Sequence, residues 1–297
     1  MTETEQPRPC PGPPAEQGPP TRFVMPEGAI DTHCHVIGAP PVYPLVAERS
    51  YTPPPASAEA YLAMLDAVGF AKGVLIQVSV HGTDNRLLYE TLSAHRARLR
   101  GVAVMPADLP EAEYARAHEA GVRGLRLNDF IRDGAGLYGG GIGFKDLERF
   151  DALACEMGWH LQFLLDGRNL VDLAPRIARL RAPWIIDHMG HIPYEVGVDH
   201  PGFQTLVQMV SDGGWVKISD AFRMSEQPGY RDSIPFAQAL VAAAPDRCVW
   251  GSDWPHVAQW RPMPTVSGLL DLLAEWVPDE TVRNRILVDN PARFYGF

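Results

Sequence analysis

The chain has 297 residues, 46% of them apolar and 21% charged, with a formal net charge of −10. This length supports one large domain with a sizeable buried core, and the acidic balance argues against a nucleic-acid or anionic-membrane surface. Four cysteines without a C-x-x-C pair exclude a dithiol motif or a zinc knuckle, and no run is long and apolar enough to cross a bilayer or to act as a secretory signal, which points to the cytoplasm.

Residues 1–22 are polar and rich in proline and read as a flexible or extended leader, ahead of a single domain over 23–297. The first strand falls in "GAIDTHCHV" (28–36). Residues 40–55 hold too many prolines for a helix or a central strand, and Tyr43, Leu45, Val46 and Tyr51 anchor them as an ordered loop. Seven further apolar runs suit buried strands: 71–80, 100–105, 121–128, 160–165, 184–188, 214–219 and 248–255. Between them lie helix-like stretches at 57–68, 83–97, 110–119, 146–157, 168–180, 203–212 and 234–244, whose apolar residues recur at three and four. Ser57 opens the first of these, with Glu59 in its first turn, and Thr83 or Asp84 is the expected cap of the second. Gly121 and Gly158 suit helix C-caps. Two more helices are expected at 264–275 and 279–288, and a short final helix after Asn290-Pro291 turns Phe294 and Tyr295 inward. Cys34, Cys155 and Cys248 read as reduced core residues.

This alternation predicts a (β/α)8 barrel, a fold of about 250 residues. The rival, a doubly wound open sheet, lacks its Gly-rich turn in the first crossover, and "GGGIG" at 139–143 does not directly follow a strand. In a barrel the active residues come from the C-terminal ends of the strands. Those ends supply His33 and His35; Gln77, Ser79 and His81; Arg126 and Asn128; Asp187 and His188; Lys217 and Ser219, with Arg223 close behind; and Asp253 and His256. His33 and His35 are two apart, so both leave one face of their strand. With His188 and Asp253 they form the expected active centre. Three histidines and a carboxylate can bind Zn²⁺ or a similar divalent ion, or can surround an Asp base as hydrogen-bond donors with no metal required. Arg126 lies in an apolar run, where a charge needs a partner. It either pairs with an internal acid such as Asp129 or Asp253, or joins Arg132 and Arg223 around a substrate carboxylate. Lys217 alternates with Ser219 and can point inward to the same centre. His160 reads as structural, and His95 and His118 as solvent-facing.

The segments "GAIDTHCHV", "GVLIQVSVHGTDN", "GVRGLRLNDFIR", "IIDHMG", "WVKIS" and "VWGSDWPH" together resemble the amidohydrolase superfamily, and within it the 2-pyrone-4,6-dicarboxylate hydrolase-like group, from about Gly28 onward. The resemblance implies water attack on a small anionic lactone in aromatic-compound catabolism. It places His33, His35, His188 and Asp253 at the barrel mouth, Asp253 activating the water, and matches Arg126, Arg132, Arg223, Ser79 and His81 to the substrate pocket. Two departures stand out. Leu164 occupies the strand-five place where many superfamily members carry a metal-binding histidine and the pyrone hydrolases a tyrosine, and Asp129 adds negative charge near the arginines. Related groups include metal-using sulfomuconolactone hydrolases and sugar-acid lactone isomerases. A solute-binding barrel would leave the histidine cluster unexplained. Nothing in the sequence sets an oligomeric state.

Overall fold

A computed structural model describes residues 7–13, 15, 18–132, 135, 136 and 138–297, with the backbone alone for Arg132 and Ala135. Eight parallel strands form the sheet: β1 (Ile30–Cys34), β2 (Lys72–Ile76), β3 (Leu99–Ala103), β4 (Val122–Asp129), β7 (His160–Leu165), β8 (Trp184–Ile186), β9 (Trp215–Lys217) and β10 (Cys248–Val249). A two-stranded antiparallel hairpin, β5 (Ile131–Arg132) and β6 (Ala135–Gly136), is inserted after β4. The order β1-β2-β3-β4-β7-β8-β9-β10 follows the chain, so every crossover joins neighbours. The sheet closes where the segment after β10 meets β1: Thr32 N donates to Trp250 O, Asp253 N to His33 O and His35 N to Trp254 O, at 2.8 to 3.1 Å. The result is a (β/α)8 barrel. All eight expected strands are present. The last is shorter than its apolar run because residues 250–255 are used for this closure, which also aims Asp253 at the strand-one histidines.

The helices cover the outside by burying one stripe each. In α1 (Ala58–Val68), Ser57 Oγ accepts from Ala60 N, and Tyr61, Met64, Leu65 and Val68 face the barrel. α2 (Arg86–Ala94) has neither expected cap: Asn85 occupies the cap position, and Asp84 is turned to the Arg86 guanidinium instead. Gly121 and Gly158, both at positive φ, end α3 (Glu111–Ala120) and α4 (Leu147–Met157). α5 (Leu170–Ile177), α6 (Pro201–Ser211), the short α7 (Ala221–Met224), α8 (Ile234–Ala243) and α9 (Val266–Trp276) continue the ring. The helix expected at 279–288 is α10 (Glu280–Asn284) passing into a π-turn over Arg285–Asp289, and α11 (Asn290–Tyr295) closes the barrel floor. Tyr295 is fully buried there, and Phe294 packs on Ile185, Trp215 and Val249.

Two expectations need correction. Cys155 is exposed, because it lies on the outer face of α4. His118 is half-buried, stacked on Trp159 and accepting its indole N–H at 3.0 Å. The described part of the leader takes the extended form of the two expected: Cys10 is buried, its N–H donates to Thr52 O, and Trp260 Nε1 donates to Pro9 O.

His160 sits at the barrel floor against Phe294 and Tyr295. Burial, reinforced by the charge of Lys217, lowers its pKa to about 3. The unfolded chain therefore binds a proton there between about pH 6.5 and 3 that the folded chain does not, and stability falls as pH falls through that window, by at most about 1.4 kcal/mol per pH unit for one such group. Buried His33, His191 and His256 are shifted the same way. The melting temperature is expected to drop steadily from pH 7 to pH 4, and more shallowly by one proton in His160→Gln. Equal slopes in the two proteins would mean that His160 is not held neutral.

Candidate active site

The strand ends converge as the pattern predicts. His33 and His35 both project from β1, their ring centroids 5.1 Å apart, and His188 brings its ring to 4.3 Å from His33. Asp253 Oδ1 lies 3.7 Å from His33 Nε2 and 3.5 Å from His35 Nε2. All four residues are buried. His188, His191, Asp220, Asp253 and His256 have positive φ, a conformation that side chains other than glycine adopt at a cost. Such strain collects at working sites, where the surrounding structure holds it.

Beneath this layer lies a charged foundation. Lys217 is fully buried, with Nζ 3.2 Å from Asp187 Oδ1 and 3.2 Å from His33 Nδ1. Gln162 Nε2 donates to Asp187 Oδ2 at 2.9 Å, and Arg126 Nη2 approaches the same oxygen at 3.4 Å. Burial alone would raise the Asp187 pKa, but Lys217, His33 and Arg126 outweigh it and hold the group ionised. Burial lowers Lys217 to about 8 against the opposing pull of Asp187. Asp31 ties β1 to the closing segment, accepting from Ser252 N and Oγ and from the Tyr61 hydroxyl.

Above it, Arg223 bridges two carboxylates. Its Nη2 donates to Asp253 Oδ2 at 2.5 Å and its Nε to Asp220 at 2.9 to 3.0 Å. Burial opposes ionisation of Asp253, but Arg223 and the surrounding imidazoles outweigh it, so Asp253 stays a carboxylate. The narrow cleft beside it, about 30 Å³, is lined by His35, Tyr51, Ser79, Arg126, Tyr138, Leu164, His188, His191, Arg223 and Asp253. A larger hollow of about 1070 Å³ lies at the opposite end of the barrel, beside Arg123, Trp184, Trp215, Arg247 and Arg293, and holds none of the histidine–carboxylate cluster. In this architecture chemistry belongs to the C-terminal face, so the smaller cleft is the candidate site.

The structure distributes the remaining expected residues unevenly. Arg126 and Arg223 reach the cleft; the acids they meet are Asp187 for Arg126, and Asp220 with Asp253 for Arg223. Ser79 lines the cleft. His81 does not: its Nε2 accepts from Gly38 N and its Nδ1 faces Pro44 O, so it ties down the proline-rich loop. Lys217 stands below the histidines rather than along the wall. The Arg132 side chain lies outside the described residues. His256 is buried against Phe222 and is not among the cleft-lining groups. Sequence reasoning missed Asp220, gave Tyr51 only as an anchor of the proline-rich loop, and left Tyr138 between pocket wall and core packing. Asp220 had a signal, since "SDAFR" puts it directly after strand-end Ser219 and three residues before Arg223.

A divalent cation fits the donor set. His35 Nδ1 faces the Ile76 carbonyl at 2.8 Å and must carry a proton to bond it. With that proton on Nδ1, Nε2, 3.5 Å from Asp253 Oδ1, is left as the place for a cation or a second proton between them. His33 Nε2 is buried and has no hydrogen-bond partner among the described residues. His33, His35 and Asp253 can offer ligand atoms within 4.8 Å of one another, as can His188 with His33 and Asp187. The tautomer of His33 decides which way the cluster works. With its proton on Nδ1, towards Asp187 Oδ1 at 3.5 Å, Nε2 is a free ligand. With Lys217 donating to Nδ1, Nε2 is itself a donor.

Comparison with known proteins finds relatives along nearly the whole chain. The chain is 37% identical over 292 residues to a 4-sulfomuconolactone hydrolase of Rhizobium radiobacter, covering 97% of this chain and 96% of that one. It is 33% identical over 288 residues to a 2-pyrone-4,6-dicarboxylate hydrolase of Comamonas testosteroni, covering 92% of each. A crystal structure of a probable 2-pyrone-4,6-dicarboxylic acid hydrolase from Acinetobacter baumannii, with citric acid bound, superposes with a TM-score of 0.78 at 25% identity, over 91% of this chain and 100% of that one. The Amidohydrolase family model matches residues 30–297, from the first strand to the last helix, and so takes in every residue of the cluster. With that match over most of its length, and with a relative 37% identical over 97% of it, the chain belongs to the Amidohydrolase family.

Proposed function

We propose that the protein is a cytoplasmic lactone hydrolase acting on a small lactone with carboxylate or sulfonate substituents, in the breakdown of aromatic compounds. One observation carries this reading: an ionised aspartate among imidazoles shares a cleft with two guanidiniums, Arg126 and Arg223. A water-activating base thus lies beside groups suited to fixing an anionic ring. The relatives named for sulfomuconolactone and pyrone-dicarboxylate hydrolysis support it, as does the citric acid bound to the Acinetobacter protein.

In this mechanism Asp253 takes a proton from water, and the hydroxide attacks the lactone carbonyl. With Lys217 donating to its Nδ1, His33 presents Nε2–H to the developing oxyanion. His188 does the same when Ser219, 2.8 Å from its Nδ1, donates. Protonated Asp253 then returns the proton to the leaving oxygen. Arg126 and Arg223 hold the substituents so that one ring face meets the water. A divalent ion, zinc being the best match for these ligands, would be held by His33, His35, His188 and Asp253 and would supply Lewis-acid polarisation of the carbonyl.

The test is hydrolysis of 2-pyrone-4,6-dicarboxylate and 4-sulfomuconolactone in ¹⁸O-water by untagged protein of measured metal content, before and after chelation. One ¹⁸O atom is expected in each product molecule. Turnover without label would mean isomerisation, and no turnover of either lactone would overturn the reading. Activity with no metal assigns the work to Asp253 and its histidine donors; stoichiometric zinc with loss on chelation places the four residues in a ligand shell. Arg126→Met is expected to raise KM for either anionic lactone about tenfold to a hundredfold, the size of a lost charged hydrogen bond. An uncharged lactone should be unaffected. Equal effects on charged and uncharged lactones would remove Arg126 from anion binding.

A further inference from the structure

The glycine run at 139–143, which fits no nucleotide-binding turn, has a clear structural purpose. A Cβ on Gly139 would lie 2.0 Å from Glu48 O, one on Gly140 2.4 Å from Ser79 O, and one on Gly141 2.8 Å from Asn128 Cβ. Only glycine lets this strand of chain press between the proline-rich loop, the end of β2 and the end of β4. The clasp is also hydrogen-bonded. Asn128 N donates to Ile142 O at 2.7 Å, Asn128 Nδ2 to Tyr138 O at 3.2 Å, and Gly139 N to Ser50 Oγ at 3.2 Å. The residue it fixes is Tyr138, held at φ +61, in the left-handed region that tyrosine rarely adopts.

Tyr138 is the outer wall of the cleft. Its ring meets Tyr51 edge-on at 6.4 Å and Phe130 at 5.6 Å, and Phe130 in turn packs against His191. It is half-buried, whereas Tyr51, Ser79, Leu164, His188 and Asp253 around the same cleft are buried. It lines the same cleft as the Arg223 guanidinium and the Tyr51 phenol. Tyr138 and Arg223 are the cleft-lining side chains that keep partial exposure, so a substrate entering from solvent meets both. Across from Tyr138 Leu164 offers no polar atom, and the Tyr51 and Ser79 hydroxyls face each other at 3.4 Å.

We propose that Tyr138 is a specificity-determining residue that contacts the substrate: held in the left-handed region by the glycine clasp, it offers its hydroxyl to the anionic substituent that Arg223 binds. The inference rests on the lactone reading above. It differs from a packing role, which needs only the ring and which phenylalanine would fill.

Tyr138→Phe keeps the ring and removes the hydroxyl. The expected result is a KM about tenfold higher for 2-pyrone-4,6-dicarboxylate or 4-sulfomuconolactone, whichever the native protein turns over, with kcat within about twofold. The Kd of pyridine-2,4-dicarboxylate, a planar dianion that cannot be hydrolysed, should rise to match by calorimetry. Unchanged KM and Kd in a variant of native melting temperature would overturn the proposal and leave lactone hydrolysis standing. A native protein that binds the dianion without turning over a lactone, with Kd raised in Tyr138→Phe, would support the contact and sink the reaction. A native protein that neither binds nor reacts overturns both. Gly140→Ala is the second variant: a loosened clasp should raise KM in the same direction, and native KM there would remove the clasp from the argument.

Discussion

Asp253→Asn is expected to slow lactone hydrolysis by on the order of 10² to 10⁴ while leaving the protein folded, the range for a lost general acid–base step. The amide matches the carboxylate in size and can still accept from Arg223, but it cannot take the proton of water. Asp220, whose pKa burial and the Asp253 charge raise, stays on Arg223 Nε and can ionise as its counter-ion once the Asp253 charge is gone, so the substitution does not strand a buried charge. The backbone hydrogen bond from residue 253 N to His33 O, which closes the barrel, is untouched. The measurement is kcat with the melting temperature and metal content of the same preparation. A rate within about tenfold of native, at native stability, would show that another group activates water. If zinc is present in the native protein and lost from the variant, the same rate loss assigns Asp253 to the ligand shell.

Lys217→Met is expected to cost about 3–5 kcal/mol of stability, the usual effect of removing one partner from a buried ion pair, and to lower activity as well. Lys217 is fully buried, with Asp187 Oδ1 and His33 Nδ1 each 3.2 Å from its ammonium. Methionine fills most of the volume, so the loss comes from the charge. Asp187 retains Gln162 at 2.9 Å and Arg126 at 3.4 Å, which favours the lower end of the range. His33 loses the donor that sets its tautomer, and kcat should fall with it. Urea unfolding and steady-state kinetics on one preparation separate the alternatives. Native stability with a raised KM alone would mean that Lys217 reaches the substrate.

The sequence by itself determined the architecture and the chemical centre. Periodicity and strand-like runs are local properties: β-branched and apolar clusters bounded by glycine repeat along the chain, and the barrel follows from their alternation. His33 and His35 were legible for the same reason, because two residues along a strand share a face whatever the surroundings. Only the tertiary structure decided what each charged residue meets. Arg126 finds Asp187, not the Asp129 or Asp253 expected of it, since partners in a closed barrel are set by strand register and not by distance along the chain. Lys217 and Ser219 alternate as expected, yet Lys217, two residues earlier along the chain, falls beneath the level at which Ser219 meets His188 and pairs with Asp187 instead. His81 lies in a 3-10 turn beyond the end of β2, not at the strand end expected, and the loop from Gly38 to Pro44 folds over and takes both its nitrogens. Asp220, Tyr51 and Tyr138 became site residues through left-handed backbone turns and loops pressed together, and those depend on contacts between segments tens of residues apart that no local pattern records.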